Sequence, residues 1–428
     1  MSLYEMLEKR ESENNRIGVG LVGCGHMGSG FIHVTEKMPG MRVRAVADLD
    51  MNRAISTFES IGLPRSMVEV VENRNDAEDA LRRDKRIATQ DALLLSKTES
   101  LEAVVEATGS IETGAAVAWN CIQYKKHVIM LNVETDVTVG LFLHRMAQKT
   151  GCVYTVASGD EPGVCKSLYN FSKSLGFEVV CLGKGKNNPV DYYATEESCR
   201  EEATRKGMNP KMLAAFKDGT KTMVEMAAVS NGTGLIPDVP GMHGLKVDRE
   251  DLVRKFIPKS DGGLFANRGV VDYSTGKVAP GVFAVITTDD ARIRDDMRFL
   301  SMGDGPYYML FRPYHLCNIE TPISVASAVF RKETTLVPSR MVSEIVAVAK
   351  RDLRSGERVG DLGGPDIYNT IYREEEAKSL GCIPMGLAVG GTVRKDIKRD
   401  DLLSEDNFIP DTSTVTYKIR KIQETLSN

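Results

Sequence analysis

Three glycines and an aspartate near the start of the chain have the residue types and spacing that bind a nucleotide. Gly23, Gly25 and Gly28 form the pattern G-x-G-x-x-G directly after an apolar run at 17–22. Asp48 ends the next apolar run, at about the 20-residue distance from the last glycine that a dinucleotide-binding turn requires. The sequence therefore predicts a strand, a tight turn, a helix and a second strand that together hold a dinucleotide.

Each glycine in this pattern has its own physical reason. Gly23 permits the tight turn, Gly25 lets the backbone approach a pyrophosphate, and Gly28 lets the helix pack closely on the strand. The helix N-terminus then presents N–H groups and the positive end of its dipole to the phosphates. A glycine-rich structural turn is the alternative interpretation. The residues expected to contact the dinucleotide here are Gly23, Cys24, Gly25, His26, Met27, Gly28 and Asp48.

Asp48 and Arg53 leave the choice between NAD and NADP open. The Asp48 carboxylate can accept hydrogen bonds from ribose hydroxyls, which favours NAD. Arg53, five residues further on, can neutralise the additional phosphate of NADP, or it is a solvated arginine on the next helix. Both cofactors are retained as predictions.

Two further predicted strands end in polar residues. Ligands of open parallel sheets bind at the carboxyl ends of the strands. The nicotinamide half of the cofactor is therefore expected beside the residues that follow the apolar run at 103–107, and the end of the run at 127–131 adds further candidates. These candidates are Thr108, Gly109, Ser110, Asn132 and Glu134.

Asp160 and Glu161 are adjacent acids at the end of a predicted strand, 153–157. Carboxylates in such a place can chelate a metal or transfer a proton, or an acid can cap the following helix. Because neighbouring strand residues point to opposite faces, both acids need not face the same site.

Lys184 and Lys186 alternate with glycines after a predicted strand at 179–182. This pattern predicts a flexible, cationic loop over 183–189 that holds a phosphate or carboxylate, or polarises a carbonyl. An exposed hairpin tip is the alternative.

The alternation of apolar strands and helices up to residue 157 predicts an α/β fold with a parallel sheet covered on both faces. The charged stretch at 66–90 is expected to be a solvated helix face and loop. Apolar runs at 270–280 and 281–287 around a Ser-Thr-Gly turn suggest an antiparallel sheet. Thr321 and Pro322 have the residue types of an N-cap and a first helical turn, so we expect a helix to begin there.

Composition excludes several classes of protein. The chain of 428 residues has a formal net charge of −4 and no basic stripe with interleaved aromatics, so a nucleic-acid partner is not expected. No apolar run approaches the roughly 20 residues that span a membrane, and the N-terminus does not resemble a secretory signal. The 8 cysteines form no C-x-x-C pair, which suits reduced thiols in a cytoplasmic enzyme.

Several segments together resemble the deoxyxylulose-phosphate reductoisomerase-like oxidoreductases, a family related to homoserine dehydrogenase. They are LVGCGHMG at 21–28, NVETD at 132–136, SGDEPG at 158–163, RPYHL at 312–316 and ETP at 320–322. The tail from Ala347 resembles a SAF domain. The resemblance implies a Rossmann domain with a doubly wound sheet at 1–157, an α+β catalytic and dimerisation domain at 158–335, and a small β-rich SAF-like domain at 336–428.

The resemblance also implies the chemistry. It implies NADPH-linked rearrangement and reduction of a phosphorylated deoxyketose, of the type that converts 1-deoxyxylulose 5-phosphate to 2-C-methylerythritol 4-phosphate in isoprenoid biosynthesis. A divalent metal, Mg or Mn, would chelate the substrate oxygens. Carried onto this chain, the catalytic residues are Asp160, Lys184 and Lys186, the metal ligands are Asp160 and Glu161, and the substrate-binding residues are Asn187, Asn231, Arg312, His315 and Glu320. Asp48 departs from what a strict NADPH enzyme shows.

Two other functions remain open. One is a plain dehydrogenase or oxidoisomerase that acts on homoserine or a sugar acid. The other is a non-catalytic protein that senses NAD(P). We expect a homodimer that binds a small-molecule substrate, without a membrane or nucleic-acid partner.

Overall fold

The computed structural model describes residues 1–426. The strands are β1 (Ile17–Val22), β2 (Met41–Ala47), β3 (Val68–Val70), β4 (Arg86–Thr89), β5 (Ala103–Glu106), β6 (His127–Met130), β7 (Tyr154–Val156), β8 (Glu178–Gly185), β9 (Ile236–Pro237), β10 (Val270–Ser274), β11 (Val282–Thr287), β12 (Tyr307–Arg312), β13 (Ser343–Ala349), β14 (Ile367–Arg373), β15 (Thr392–Val393) and β16 (Phe408–Ile409). The helices are α1 (Leu3–Ser12), α2 (His26–Lys37), α3 (Met51–Glu59), α4 (Arg74–Arg82), α5 (Ala92–Lys97), α6 (Ile111–Gln123), α7 (Val133–Thr150), α8 (Glu161–Ser174), α9 (Glu196–Lys206), α10 (Pro210–Lys217), α11 (Thr220–Thr233), α12 (Leu252–Lys255), α13 (Ala291–Phe299), α14 (Cys317–Arg331), α15 (Glu374–Ser379), α16 (Met385–Ala388) and α17 (Val415–Leu426). Short 3-10 helices lie at Arg65–Met67, Arg249–Asp251 and Lys259–Asp261.

The chain divides into two compact units. The first unit contains residues 1–160 and 316–337, and the second contains residues 161–315 and 338–428. The division into three domains remains a prediction.

The first unit is built on a seven-stranded parallel sheet. Its strand order is β3-β4-β2-β1-β5-β6-β7, so the chain moves outwards in one direction from β1 and later in the other. Every residue of β1 is buried, which is typical of a parallel strand that helices cover on both faces. The predicted α/β class with a doubly wound parallel sheet is confirmed. The order reverses between β1 and β5, and ligands bind at such a switch point.

The charged stretch at 66–90 was expected to be a solvated helix face and loop, a prediction that its helix α4 confirms but that misses its strands. It contributes two strands, β3 and β4, to the edge of the sheet, with α4 between them. The apolar runs are only three or four residues long, so the charges of α4 dominate the sequence pattern.

Helix α14 begins four residues before the predicted start at Thr321. Its first turn forms because the Leu316 carbonyl accepts hydrogen bonds from the N–H groups of Ile319 and Glu320. The Thr321 hydroxyl donates to the Cys317 carbonyl instead of capping the helix, and Pro322 lies inside it. The prediction of the N-cap was therefore wrong.

The second unit contains a five-stranded mixed sheet in the order β12-β11-β8-β10-β9. Strand β8 lies at its centre, parallel to β10 and antiparallel to β11. The antiparallel sheet predicted around the Ser-Thr-Gly turn therefore exists, but β10 and β11 do not pair with each other. Both pair with β8, which carries Lys184 in its interior.

The C-terminal part of the second unit has its own apolar core. Strands β13 and β14 pair in antiparallel register, and so do β15 and β16. Leu353, Ile367, Leu403 and Phe408 belong to one cluster of buried side chains there. Throughout residues 1–426, no helix has both the length and the apolar character needed to traverse a bilayer.

Candidate functional site

The glycine turn after β1 has the geometry that its sequence predicts. Gly23 has a positive φ of 91°, and a Cβ on it would lie 2.9 Å from the Ala107 carbonyl carbon. A Cβ on Gly28 would overlap the Gly23 carbonyl oxygen. A Cβ on Gly25, in contrast, would have no atom within 4 Å. Gly23 and Gly28 are thus required by the fold, whereas Gly25 borders open space.

Helix α2 begins at this open space. Gly25 is its N-cap and supplies no side-chain hydrogen bond, and His26 is exposed at the first helical position. Met27 packs against the apolar core of the unit. Cys24 is buried, and burial raises the pKa of its thiol to about 11, so it is not a nucleophile at neutral pH.

Asp48 is held beside the glycine turn by two backbone groups. Its Oδ2 accepts from the Cys24 N–H at 2.8 Å, and its Oδ1 accepts from the Asp50 N–H at 2.9 Å. The Arg53 guanidinium lies 3.8 Å from Oδ1, and its side chain is 55% exposed. A carboxylate and an exposed guanidinium are therefore neighbours, which is compatible with either cofactor.

The ends of β5 and β6 form a hydrogen-bonded cluster. Asn132 donates through Nδ2 to the Ser110 carbonyl at 2.9 Å and accepts through Oδ1 from the Thr135 N–H, so it caps α7. Ser110 caps α6 in the same way. Gly109 has a positive φ of 72°, and Glu134 lies half-buried in the first turn of α7.

Sequence reasoning missed Glu106, the last residue of β5. Its side chain is fully buried and accepts hydrogen bonds from both the N–H and the hydroxyl of Thr108. Burial raises the pKa of Glu106 to about 7. The signal was available, because this acid lies within an otherwise apolar strand.

In the second unit, Lys184 does not lie in a flexible loop as predicted. It is buried within β8, which extends to Gly185. The glycines on either side permit close packing, since a Cβ on Gly183 would lie 2.6 Å from the Phe283 ring and one on Gly185 would meet Ala279. Alternating glycines here indicate a tightly packed strand, which the sequence pattern alone did not distinguish from a loop.

The Lys184 ammonium joins two buried carboxylates. It donates to Glu161 Oε1 at 2.6 Å and also to Glu225 Oε2. Burial alone would lower the pKa of Lys184, but the two carboxylates overcome this effect and raise it. His315 Nε2 lies 3.5 Å from Glu161 Oε1, and His315 Nδ1 lies 2.8 Å from the Pro280 carbonyl oxygen. Lys184 is therefore charged, with two acids and an imidazole around it.

Lys186 is also buried, whereas Asn187 is exposed. The Lys186 ammonium donates to Asn188 Oδ1 at 2.9 Å and to the Phe216 carbonyl at 2.7 Å. Burial, followed by the charge of Lys184, lowers the pKa of Lys186 to about 8. Lys186 directly follows the last residue of β8 and lies two residues after Lys184.

Asn231 lies within α11, where its side chain is buried. Its Oδ1 accepts from the backbone N–H groups of Val342 and Ser343 at 2.7 and 3.0 Å. This side chain joins α11 to the start of β13, which is a structural role, and substrate binding by Asn231 stays a prediction.

The remaining predicted residues are distributed over both units. Arg312 and His315 belong to the second unit, and the Arg312 guanidinium stacks 4.4 Å from the centroid of the Tyr314 ring. Glu320 lies half-buried on α14 in the first unit. Asp160 is buried at the end of the first unit, and Glu161 directly follows it as the first residue of α8.

Sequence reasoning also missed Glu225. It is buried within α11, where the flanking residues Met223, Val224 and Met226 are buried as well. A single acid in an apolar helical stretch is an unusual pattern, because buried charges require a partner. That partner, Lys184, lies 41 residues earlier on a strand.

Glu161 and Glu225 converge on one cationic position, since a single ammonium contacts both. Oxygen ligands of this kind suit Mg²⁺ and Mn²⁺. The donor set therefore fits a divalent cation, with the Lys184 ammonium as the cation that contacts these carboxylates in this structure.

Comparison with known protein families finds one match, which covers less than half of the chain. Residues 159–321 match the family model of the oxidoreductase DRL, catalytic domain. No curated protein sequence matches the chain. The match supports an oxidoreductase activity and covers the segment with Glu161, Lys184, Glu225 and His315.

Solved structures show only distant similarity. A probable dehydrogenase from Thermotoga maritima is 13% identical with a TM-score of 0.41, and the alignment covers 76% of this chain and 90% of that one. A putative myo-inositol dehydrogenase from Sinorhizobium meliloti is 12% identical with a TM-score of 0.39, covering 74% and 90%. A DOX-P reductoisomerase in complex with magnesium is 11% identical with a TM-score of 0.40, covering 74% and 70%. Similarity at this level does not transfer a substrate.

Proposed function

We propose that this chain is an NAD(P)-dependent oxidoreductase of a small anionic polyol or ketose. The observation that supports cofactor binding is the open space at Gly25. Helix α2 begins there without a side-chain cap, and Asp48 is fixed beside the turn. A pyrophosphate bound there would accept hydrogen bonds from the first N–H groups of α2. The bound cofactor would supply or accept a hydride.

The choice between NAD and NADP follows from Asp48 and Arg53. The Asp48 carboxylate, already oriented by Cys24 and Asp50, is an acceptor for a ribose 2′-hydroxyl and repels a 2′-phosphate. Arg53 is exposed enough to turn towards such a phosphate. We propose that both nucleotides bind and that the ratio of their affinities depends on how far attraction by Arg53 offsets repulsion of the 2′-phosphate by Asp48.

Lys184, Lys186 and the acids around Lys184 are the residues that we propose for the chemistry. Glu161 and Glu225 keep Lys184 protonated, and its ammonium can stabilise the negative charge that develops on a substrate oxygen. The lowered pKa of Lys186, about 8, lets it exchange a proton near neutral pH. Asn187 and Arg312 are the proposed contacts for the anionic group of the substrate.

The leading proposal for the reaction is reductoisomerisation of a phosphorylated deoxyketose. Glu161 and Glu225 would supply carboxylates to Mg²⁺ or Mn²⁺. Asp160, which directly precedes Glu161 in the sequence, would supply a third. Such a cation would polarise the substrate oxygens. The support is the matched family segment together with the convergence of two carboxylates on one cationic position.

A plain dehydrogenase of a sugar acid or homoserine is the second candidate, and Lys184 favours it. The ammonium already contacts both carboxylates, and a dehydrogenase needs only a proton donor or acceptor beside the hydride. The two candidates differ in whether a divalent cation must bind.

Two separate glycine substitutions test whether the cofactor binds at this turn. Gly25→Val is expected to abolish NADH and NADPH binding, measured by fluorescence titration, while the melting temperature of the cofactor-free protein is unchanged. Gly28→Ala is the matched control, and it should lower the melting temperature because its Cβ overlaps the Gly23 carbonyl. Retained binding in Gly25→Val would refute the proposal.

A turnover assay tests the reaction. Oxidation of NADPH or NADH is followed with 1-deoxyxylulose 5-phosphate, with and without Mg²⁺ or Mn²⁺. Metal-dependent oxidation supports the reductoisomerase. No oxidation, together with metal-independent turnover of a sugar acid or homoserine in the opposite direction, supports the dehydrogenase.

We also propose that the chain forms a homodimer and that residues 336–428 form a SAF-like module. Strand β12 is an edge strand of its sheet, and Phe299 and Leu300 are 85% and 66% exposed in the same unit. An unpaired edge and exposed apolar side chains favour association. Light scattering during size-exclusion chromatography should give about twice the monomer mass, and the monomer mass alone would contradict the dimer.

A further inference from the structure

Glu106 is a buried carboxyl at the cofactor-binding edge of the sheet that the proposed chemistry does not use. It ends β5, where it pairs in register with Val22, the last residue of β1. The glycine turn after β1 packs against Ala107, the residue after Glu106. The strand order reverses between these two strands, so the side chain lies at the switch point where a dinucleotide binds.

The side chain of Glu106 is fixed by its neighbours. Oε1 accepts from the Thr108 N–H at 2.9 Å and from the Thr108 hydroxyl. Oε2 is close to α6, because a Cβ on Gly114 would lie 3.1 Å from it and 2.9 Å from Asn132 Nδ2. Glu106 therefore holds the segment at 108–110 that is expected beside the nicotinamide half of the cofactor.

No salt bridge joins Glu106 to a cation among the described residues. The titratable groups that face it are Glu134 of α7, Cys121 of α6 and Tyr154 of β7. Burial raises the pKa of Cys121 and of Tyr154, so both are neutral at pH 7. The charge of Glu134 adds to the effect of burial on Glu106. When Glu106 ionises, its negative charge is therefore not compensated by a neighbouring cation.

We propose that Glu106 makes the cofactor site discriminate between the oxidised and the reduced nicotinamide. The oxidised ring carries a positive charge and the reduced ring is neutral. An ionised Glu106 stabilises the cationic ring, whereas a protonated Glu106 does not. This inference rests on the proposed function, because it requires that NAD(P) binds at this edge.

Because burial raises the pKa of Glu106 to about 7, its carboxyl changes charge within the pH range in which cofactor binding can be measured. Below pH 7 the carboxyl is protonated, so the two forms of the cofactor are distinguished only by other groups. Above pH 7 it is ionised, and the oxidised form gains affinity. The expected gain is about tenfold, which is the order of magnitude of an attraction between two unit charges inside a protein at an effective dielectric constant of about 20.

The experiment measures the dissociation constants of the oxidised and reduced cofactor for the full chain between pH 5.5 and 8.5. In the wild-type protein the ratio of the oxidised to the reduced constant should fall about tenfold as the pH rises through 7. In Glu106→Gln, which keeps an acceptor for the Thr108 N–H but has no charge, the ratio should not change with pH. Glu102→Gln is the matched control, because Glu102 directly precedes β5 at the end opposite to Glu106, and this variant should behave as the wild type.

Thr108→Val is a second variant that does not depend on Glu106→Gln folding. It removes the hydroxyl that stabilises the ionised carboxyl, so the midpoint of the wild-type transition should move to higher pH. A pH-independent ratio in the wild type, or an unchanged transition in Glu106→Gln, would overturn the inference while leaving cofactor binding established. Binding of neither form at any pH would overturn the proposed function as well.

Discussion

Replacing Lys184 by methionine is expected to destabilise the second unit strongly. Lys184, Glu161 and Glu225 are all buried, and the ammonium is a hydrogen-bond partner of both acids. Methionine has a similar length but no charge, so both carboxylates would lose their cation. Removing one member of a buried ion pair costs about 3–5 kcal/mol, because the charge that remains is poorly solvated.

A double-mutant cycle isolates this effect. Glu225→Gln in the Lys184→Met background removes the charge of one of the two carboxylates that have lost the Lys184 ammonium. The double variant should therefore be more stable than the sum of the two single losses predicts, with a coupling of about 1–3 kcal/mol. The control is Lys206→Met, whose ion pair with Glu202 lies on the surface of α9 and contributes less than about 1 kcal/mol.

Chemical denaturation followed by circular dichroism gives the free energies of unfolding for the four proteins of the cycle and the control. A loss below about 1 kcal/mol for Lys184→Met would refute the reasoning. Strict additivity of the losses in unfolding free energy for Lys184→Met and Glu225→Gln would refute it as well, because two side chains that form an ion pair must show a coupling energy.

Three further predictions test other parts of the structure. Asp48→Ala should weaken the binding of NADH more than that of NADPH in fluorescence titrations, and equal losses would show that Asp48 does not contact the ribose. Tyr154→Phe removes the hydroxyl that donates to the buried Asp136 at 2.9 Å, and should lower the free energy of unfolding by about 1–3 kcal/mol. Burial raises the pKa of Asp136 to about 7, so this loss should be greater at pH 8, where the carboxylate is charged, than at pH 5, and a loss independent of pH would contradict it. Adding Mg²⁺ to Lys184→Met should raise its melting temperature if Glu161 and Glu225 can hold a divalent cation, and no change would favour the metal-free dehydrogenase.

The glycine turn could be predicted because its backbone conformation and the packing of α2 on it are local, although Gly23 also packs against Ala107, which is distant in sequence. Gly23 needs a positive φ and Gly28 lies against the turn itself, so each requirement follows from residues a few positions away. Asp48 follows from the length of one strand-helix-strand unit. Burial of whole strands such as β1 also appears directly as continuous apolar residues.

Lys184 shows where such reasoning fails. Glycines and lysines in alternation are typical of a mobile loop, yet β8 pairs with β10 on one side and β11 on the other. Those partners follow β8 by about a hundred residues, so nothing near Lys184 indicates that its neighbours are close-packed. Helix α14 is a different case, because its first turn is formed by the backbone carbonyl of Leu316 and not by the polar side chains that usually cap a helix.

The sequence by itself determined the class of the fold and the glycine turn after β1, because periodicity and turn geometry are short-range properties. Only the tertiary structure decided which charges meet. Glu161, Lys184 and Glu225 come from two helices and a strand, and Glu106 gains its raised pKa from burial by α6 and the strand ends around it. Burial and charge pairing depend on distances through space, and sequence separation does not specify those distances.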